Sequence, residues 1–265
     1  MHTIPTTASL LHIEAGACKN HLLAALPTTT WLALQPHLQL VTLTAGSCLH
    51  ESGAVPSHVY FPRTAIVSLV SGMRDGASAE VAVVGAEGLV GLWACMGEAP
   101  AHDTAIVQAT GQAWRVGLPT LVQQAWRSEA LLRPLLRYGQ ALMLHISQTA
   151  ACHRLHALEP RLCRWLLAML DRQPGPEVRV TQDRIAAMLG VRREGVTAAA
   201  LKLQRAGVIR YGRGQITVLD RGALEDSSCE CHAVIRAAYA HGLDEAEAAA
   251  PARARALCEP AALML

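Results

Sequence analysis

Three groups of residues in this 265-residue sequence have types and spacings suited to chemistry. Arg192, Arg193 and Glu194 follow a Leu189-Gly190 break, at what reads as the first turn of a helix. Two guanidiniums can donate paired hydrogen bonds to guanine O6 and N7, and a carboxylate can accept from cytosine N4. Taken alone, the three also fit a solvated helix start with local ion pairs. Cys229, Cys231 and His232 stand in the run Cys-Glu-Cys-His and offer three soft ligands to zinc, or a redox dithiol. Spacing indicates no fourth ligand, and the bland alternative is a pair of small thiols at a domain edge. Cys152 and His156 are one helical turn apart, with His145 two turns before Cys152. That geometry is open to a metal or haem, and equally to a packed helix face.

The elements that must position the arginines can be read around them. Thr181 can cap a helix, with Ile185, Ala186 and Leu189 on its apolar face and Gly190 ending it. A second helix starts near Arg192 and turns Val196, Ala200 and Leu203 inward, until Gly207 stops it. The run "VIRYGRGQITVL" predicts two short strands around Gly212 to Gly214. Two helices joined by a tight turn and followed by a hairpin make a winged helix-turn-helix. In that motif the N-terminal turn of the second helix enters the major groove. Gly195, Thr197, Ala198 and Ala199 would let the helix lie close to the bases. Arg210 and Arg213 on the wing, and Lys202 and Arg205 on the helix, suit phosphate contact.

Upstream the pattern differs. From Leu40 to about Val116, short apolar runs recur at roughly ten-residue spacing between glycines and prolines, the signature of a β-barrel or sandwich. Residues 19–38 read as helical, with Pro27 as a break. From Leu118 the sequence reads as helix, with Pro119 at its start and Pro134 inside. Leu131, Leu135, Leu142, Ile146 and Thr149 lie at three-, four- and seven-residue spacings. That stripe fits packing against the β domain or against the same helix of a second chain. Residues 158–171 form another amphipathic helix, and "RQPGPEV" after them reads as turn and linker. A short helix starts near Asp220. From Leu243 the tail is Ala-rich and reads as disorder or loose helix.

Composition narrows the classes. Hydrophobic residues make up 51% of the chain with a single Phe, so Leu, Val and Ala must fill the core. The formal net charge of +2 hides an uneven distribution. Residues 176–222 carry nine Lys/Arg against four Asp/Glu, while residues 1–126 carry four against seven. The basic excess therefore sits on the helix-turn-helix, where an anionic partner would bind. Residues 1–11 lack the basic start of a secretory signal, and the apolar runs are far short of a membrane span. Eight scattered cysteines then read as reduced thiols of a cytoplasmic protein without a membrane partner. His50 and His58 are isolated, so the H-x-H pair of a cupin-type metal enzyme is missing. No G-x-S-x-G, G-x-x-x-x-G-K-[ST] or G-x-G-x-x-G motif occurs either, and the sequence does not read as an enzyme. A scaffold that binds no DNA is the other competing class; it would make Arg193 dispensable.

The stretch "VTQDRIAAMLGVRREGVTAAALKLQRAGVI" resembles the Crp/Fnr superfamily of bacterial transcription regulators, closely matching its T-x-x-x-I-A-x-x-L-G-x-x-R-E-x-V-x-x-x-L-x-x-L-x-x-x-G-x-I pattern. Ala200 departs from it, standing where Leu is usual. The resemblance implies that Arg193 and Glu194 read bases and that Thr181 meets backbone phosphate. Ala198 replaces a further basic residue, which implies an altered operator at that base pair. "VVGAEGLVGL" is similar to the segment before the phosphate cassette of cyclic-nucleotide-binding domains, which places Glu87, Gly88 and Leu89 near an effector pocket. Where members that bind cyclic AMP carry an Arg-Ser pair, this chain has Asp103 and Thr104. An aspartate facing a phosphate repels it. The resemblance thus implies a retained shell with another effector, or none, and no established cofactor. Iron–sulfur sensing would need clustered N-terminal cysteines, and only Cys18 and Cys48 lie early in the chain.

The fold expected is α+β: an N-terminal β jelly-roll resembling cyclic-nucleotide-binding domains, a long linking dimerisation helix and a C-terminal winged helix-turn-helix. The divisions are 19–125 for the sensor barrel, 126–157 for the linking helix, 158–228 for the DNA-binding domain and 229–265 for a partly disordered tail. The expected DNA contacts are Thr181, Gln182, Arg192, Arg193, Glu194, Thr197, Lys202, Arg210 and Arg213. Leu131, Leu135, Leu142 and Ile146 would form the dimer seam. The expected partners are double-stranded DNA with a near-palindromic operator, a second copy of the chain, and RNA polymerase. The alternative is a thiol- or metal-responsive regulator using Cys229, Cys231 and His232.

Overall fold

The computed structural model of the chain describes residues 19–97 and 100–243. Residues 1–11, the Ala-rich tail beyond 243, and Cys18 and Cys258 lie outside the described residues.

Two short helices open the described chain, α1 (His21–Ala24) and α2 (Thr28–Leu34). Asn20 caps the first by accepting from Leu23 N, and Pro27 separates the two. Seven strands follow: β1 (Gln39–Leu43), β2 (Cys48–His50), β3 (His58–Pro62), β4 (Ile66–Gly72), β5 (Ser78–Val84), β6 (Thr104–Ala109) and β7 (Gly111–Gly117), with α3 (Leu92–Gly97) before β6. They pair antiparallel into two sheets, ordered β1-β7-β3 and β2-β6-β4-β5. This is the expected jelly-roll shell. Trp31, Phe61, Leu89, Leu92 and Leu121 are enclosed in its core.

α4 (Leu118–Arg127) starts with its Pro in the first turn, where a missing N–H costs nothing. α5 (Glu129–Leu155) then runs 27 residues through Pro134, a length of about 40 Å. Leu131, Leu135 and Leu142 are buried in the sensor's own core, and Ile146 packs half-buried against it. This corrects the dimer seam expected from the sequence, because a second chain cannot reach a stripe already covered by its own β domain. Leu136, Met143, Leu144 and Leu155 face outward on the same helix.

The C-terminal domain contains α6 (Leu158–Leu170), β8 (Glu177–Arg179), α7 (Gln182–Leu189), α8 (Arg193–Arg205), β9 (Ile209–Gly212), β10 (Gln215–Val218) and α9 (Arg221–Asp226). The wing has three strands, ordered β8-β10-β9. Part of the segment read as linker is thus a strand, with Val178 buried opposite Ile216. α10 (Cys231–Leu243) closes the described chain. It turns back onto α5, adding Ile235 and Tyr239 to the sensor core. The start of the segment read as a tail is therefore folded.

Candidate nucleic-acid interface

Thr181 caps α7 by accepting from Arg184 N at 3.3 Å. Gly190 takes the left-handed conformation (φ 62) that ends α7 and reverses the chain, a conformation glycine adopts without strain. Val191 N closes the turn by donating to Ala186 O. Arg192 then takes the N-cap position of α8 without a side-chain cap, and Arg193 and Glu194 occupy its first turn. All three are exposed, while Val196, Ala200 and Leu203 are buried. Arg193 makes a loose 3.4 Å ion pair with Asp183, both side chains more than half exposed. Such a pair contributes little and exchanges readily for another anion.

The wing carries the other cations. Arg213 (φ 42) and Gly214 (φ 78) form the two-residue turn between β9 and β10, the hairpin geometry with positive φ at both central positions. Arg210 and Arg213 point to solvent. Gln182 and Thr197 are joined by a 2.8 Å hydrogen bond between α7 and α8. Lys202 donates to Glu159 of α6 at 2.5 Å, and its three-donor ammonium stays largely exposed, so a phosphate can approach beside that carboxylate. The small residues of α8 divide. Ala198 is exposed, whereas Ala199 is buried and Gly195 lies against Leu158, where a Cβ would come within 3.0 Å. Gly195 and Ala199 are small to let α8 seat on its own domain.

The sensor residues also divide. Leu89 and Asp103 line a space of about 10 Å³ inside the shell, together with His50, Leu69 and Leu142, room for about one water molecule. Asp103 accepts from His50 Nε2 at 2.8 Å, both buried. Thr104 instead accepts from Ser52 N at the surface. Gly88 is small because the Tyr138 hydroxyl would lie 2.5 Å from any Cβ there, on its way to donate to Leu89 O. Glu87 turns away from this space and accepts from Arg172 Nε, in the turn just after α6, at 2.7 Å. It lines a separate cavity of about 340 Å³ with His145, Arg172 and Tyr239. The sequence carried no signal for the arginine that reaches Glu87 across 85 positions.

Arg184 was another residue missed by sequence reading. Its guanidinium donates to Gln108 Oε1 at 3.0 Å and Val107 O at 3.1 Å, tying α7 to β6 of the sensor. Its place at the third position of α7, where a capping box would carry Glu, was the one available hint.

The cysteine groups are rearranged relative to expectation. His232 donates toward Asp171 at 2.8 Å, away from Cys229 and Cys231. Asp171 is also held by Arg221. Burial alone would raise its carboxyl, but these two partners carry it down to about 2. Cys229 and Cys231 meet Cys152 of α5 and His156 just past its end instead, bringing together two groups that were separate in the sequence. Cys152 is lowered to about 5, foremost by the thiol of Cys229, whose own proton is held more tightly in return.

Comparison with known proteins agrees with this geometry. Residues 160–227 match the Crp-like helix-turn-helix domain, and residues 40–125 match the cyclic nucleotide-binding domain. FixK2 from Bradyrhizobium japonicum is 17% identical, with a TM-score of 0.63 over 72% of this chain and 98% of its own. A CRP/FNR-family transcriptional regulator from Thermus thermophilus is 21% identical, with a TM-score of 0.56 over 72% and 98%. The c-di-GMP responsive global regulator CLP from Xanthomonas campestris is 16% identical, with a TM-score of 0.58 over 73% and 100%. Comparison with curated protein sequences yields no match.

Proposed function

The chain belongs to the Crp/Fnr superfamily of DNA-binding transcription regulators, and from that membership we propose that it acts as a homodimer, reading a near-palindromic operator under control of an effector other than cyclic AMP. One observation carries the DNA reading: Arg193 and Glu194 stand exposed side by side at the tip of α8, flanked by exposed Arg192 and the wing arginines. Arg193 matches guanine and Glu194 matches cytosine in the major groove, while Arg210, Arg213 and Thr181 suit phosphates. Dimerisation is supported by the outward row Leu136 and Met143, one heptad apart on α5. Two recognition helices would then address half-sites one DNA turn apart. The shell argues for a different effector, since leucines and the His50–Asp103 pair occupy it. A cyclic phosphate placed there would face a carboxylate and would have to displace apolar side chains. The protein would work in the cytoplasm, where RNA polymerase is a further expected partner. No helix among the described residues is long and apolar enough to cross a membrane.

Selection of bound sequences from a random duplex pool, with full-length protein and with or without a small-molecule extract, tests this. An inverted repeat should emerge. Arg193→Ala should lose about 1–3 kcal/mol of specific binding and relax base preference at one position of each half-site. Recovery of no motif, or an Arg193→Ala protein that selects the same motif with equal affinity, would end this reading.

A further inference from the structure

We infer that Cys152, His156, Cys229 and Cys231 form a closed zinc site that clamps the start of α10 to the end of α5. The four ligand atoms lie within 4.8 Å of one another. Cys152 Sγ is 3.6 Å from Cys229 Sγ, and Cys231 Sγ is 3.6 Å from His156 Nδ1. Tetrahedral zinc, with bonds of about 2.3 Å to sulfur and about 2.0–2.1 Å to nitrogen, sets its ligands about 3.8 Å apart for a sulfur pair and about 3.5 Å for sulfur and nitrogen. Both measured separations are therefore within a few tenths of an ångström of those an ion would impose. A disulfide would need its sulfurs at about 2.05 Å.

The surroundings fit the same ion. His156 presents Nδ1 to the cluster and Nε2 to Glu230 Oε2 at 3.4 Å, the carboxylate–histidine arrangement that orients a ligating imidazole. Gln148 Nε2 donates to Cys231 Sγ at 3.1 Å, as outer donors do to metal-bound thiolates. Three thiolates and one Zn²⁺ leave a net negative charge. Arg161 interacts electrostatically with Cys152 and Cys229, and Arg164 with Cys152, so two largely buried cations offset it. The three sulfurs form a buried cluster distinct from the two large apolar cores, which do not need them for packing. Soft thiolates favour zinc over magnesium or calcium, and four protein ligands leave no open position, as in structural sites. The site also touches the reading head. Arg161 donates to Leu189 O, at the end of α7 where the chain turns into α8. His232, the ligand suggested by the sequence run, is committed to Asp171 and stays outside.

The test measures metal content by mass spectrometry on full-length protein purified without metal-affinity steps, then titrates the chelator-stripped protein with cobalt. About one zinc per chain is expected, with the near-ultraviolet thiolate-to-cobalt charge-transfer band of a tetrahedral site. Cys152→Ser, Cys231→Ser and His156→Ala should each reduce zinc retention at least tenfold, while His232→Ala keeps it. Wild-type protein that carries no zinc and develops no cobalt band overturns the site. So does retention that depends on His232 rather than His156, or a Cys152–Cys229 disulfide, lighter by two hydrogens, in the protein as isolated. If a serine variant fails to fold, the cobalt spectrum of the wild type decides.

Discussion

Glu80 is the residue whose charge costs the fold most visibly. It points from β5 into a fully enclosed site, where Ser68 Oγ donates to it at 2.5 Å. Burial pushes its carboxyl from 4.5 up to about 7, although Ser68, Arg164 and Arg172 pull the other way. The sign follows directly. Between pH 4.5 and 7 the folded chain holds a proton that the unfolded chain has lost, so stability falls as pH rises through that window. The whole effect is on the order of 3 kcal/mol at most, at about 1.4 kcal/mol per pH unit. Buried His145 and His153, both lowered by desolvation, push stability the other way in each protein, so the difference isolates Glu80: calorimetric melting from about pH 4.5 to about pH 8 should show Glu80→Gln gaining on the wild type as pH rises. Equal slopes in the two proteins would assign the pH dependence elsewhere. In the sequence Glu80 was one polar residue in an apolar strand, and nothing near it pointed to arginines more than eighty positions away. The exposed place of Arg193 and Glu194 in the first turn of α8 was legible for the opposite reason, because it depends on a local turn. Arg184 and Glu87 were not, because their partners come from the other domain.

At the level of elements, legibility again followed the range of the interactions. The jelly-roll strands declared themselves through short apolar runs spaced by glycine- and proline-bearing turns, and the helix-turn-helix through Thr181, Gly190 and Gly207. β8 was lost because three residues after a Gly-Pro turn carry almost no periodicity. α10 was lost because its helix is defined by what it packs on, with Tyr239 meeting His145 at 3.0 Å and Tyr138 ring to ring. The inward face of α5 was undecidable from spacing, since Leu131, Leu135 and Leu142 follow one helical row and Leu136 and Met143 another. The structure gives the first row to the sensor core and leaves the second exposed, the face that the proposed dimer would use. Leu136→Glu with Met143→Glu should therefore yield a folded monomer by analytical ultracentrifugation, with operator affinity down at least tenfold because the half-sites are no longer read together. Leu135→Ala, on the buried row, should instead cost about 2–5 kcal/mol of stability. A double-glutamate protein that stays dimeric would move the seam off this face.

Across the whole molecule, the DNA-reading domain and the sensor share a core. Ile66, Val70 and Val83 of the sensor's four-stranded sheet pack with Leu162, Leu166 and the buried face of α7. Gly190 sits so close to β5 that a Cβ would lie 3.3 Å from that of Ala79. The Glu87–Arg172 and Arg184–Gln108 contacts pin the two domains at separate points. A ligand that shifts β5 or β6 must then either carry α8 with it or break these contacts, and by reciprocity operator binding must act back on the sensor. Arg184 offers the cleanest cut. Its backbone N–H serves the Thr181 cap, which an alanine keeps, while its guanidinium serves only the join to the sensor. Arg184→Ala leaves Gln108 and the Val107 carbonyl without that donor, a cost of about 1–2 kcal/mol to the docked arrangement. Amide hydrogen exchange should then quicken by roughly 5–30-fold along α7 and β6, while the far sheet, β1-β7-β3, exchanges as in the wild type. A uniform acceleration through both sheets would mean that the substitution destabilises the fold as a whole. Unchanged exchange at α7 would mean that the shared apolar core alone holds the two domains together.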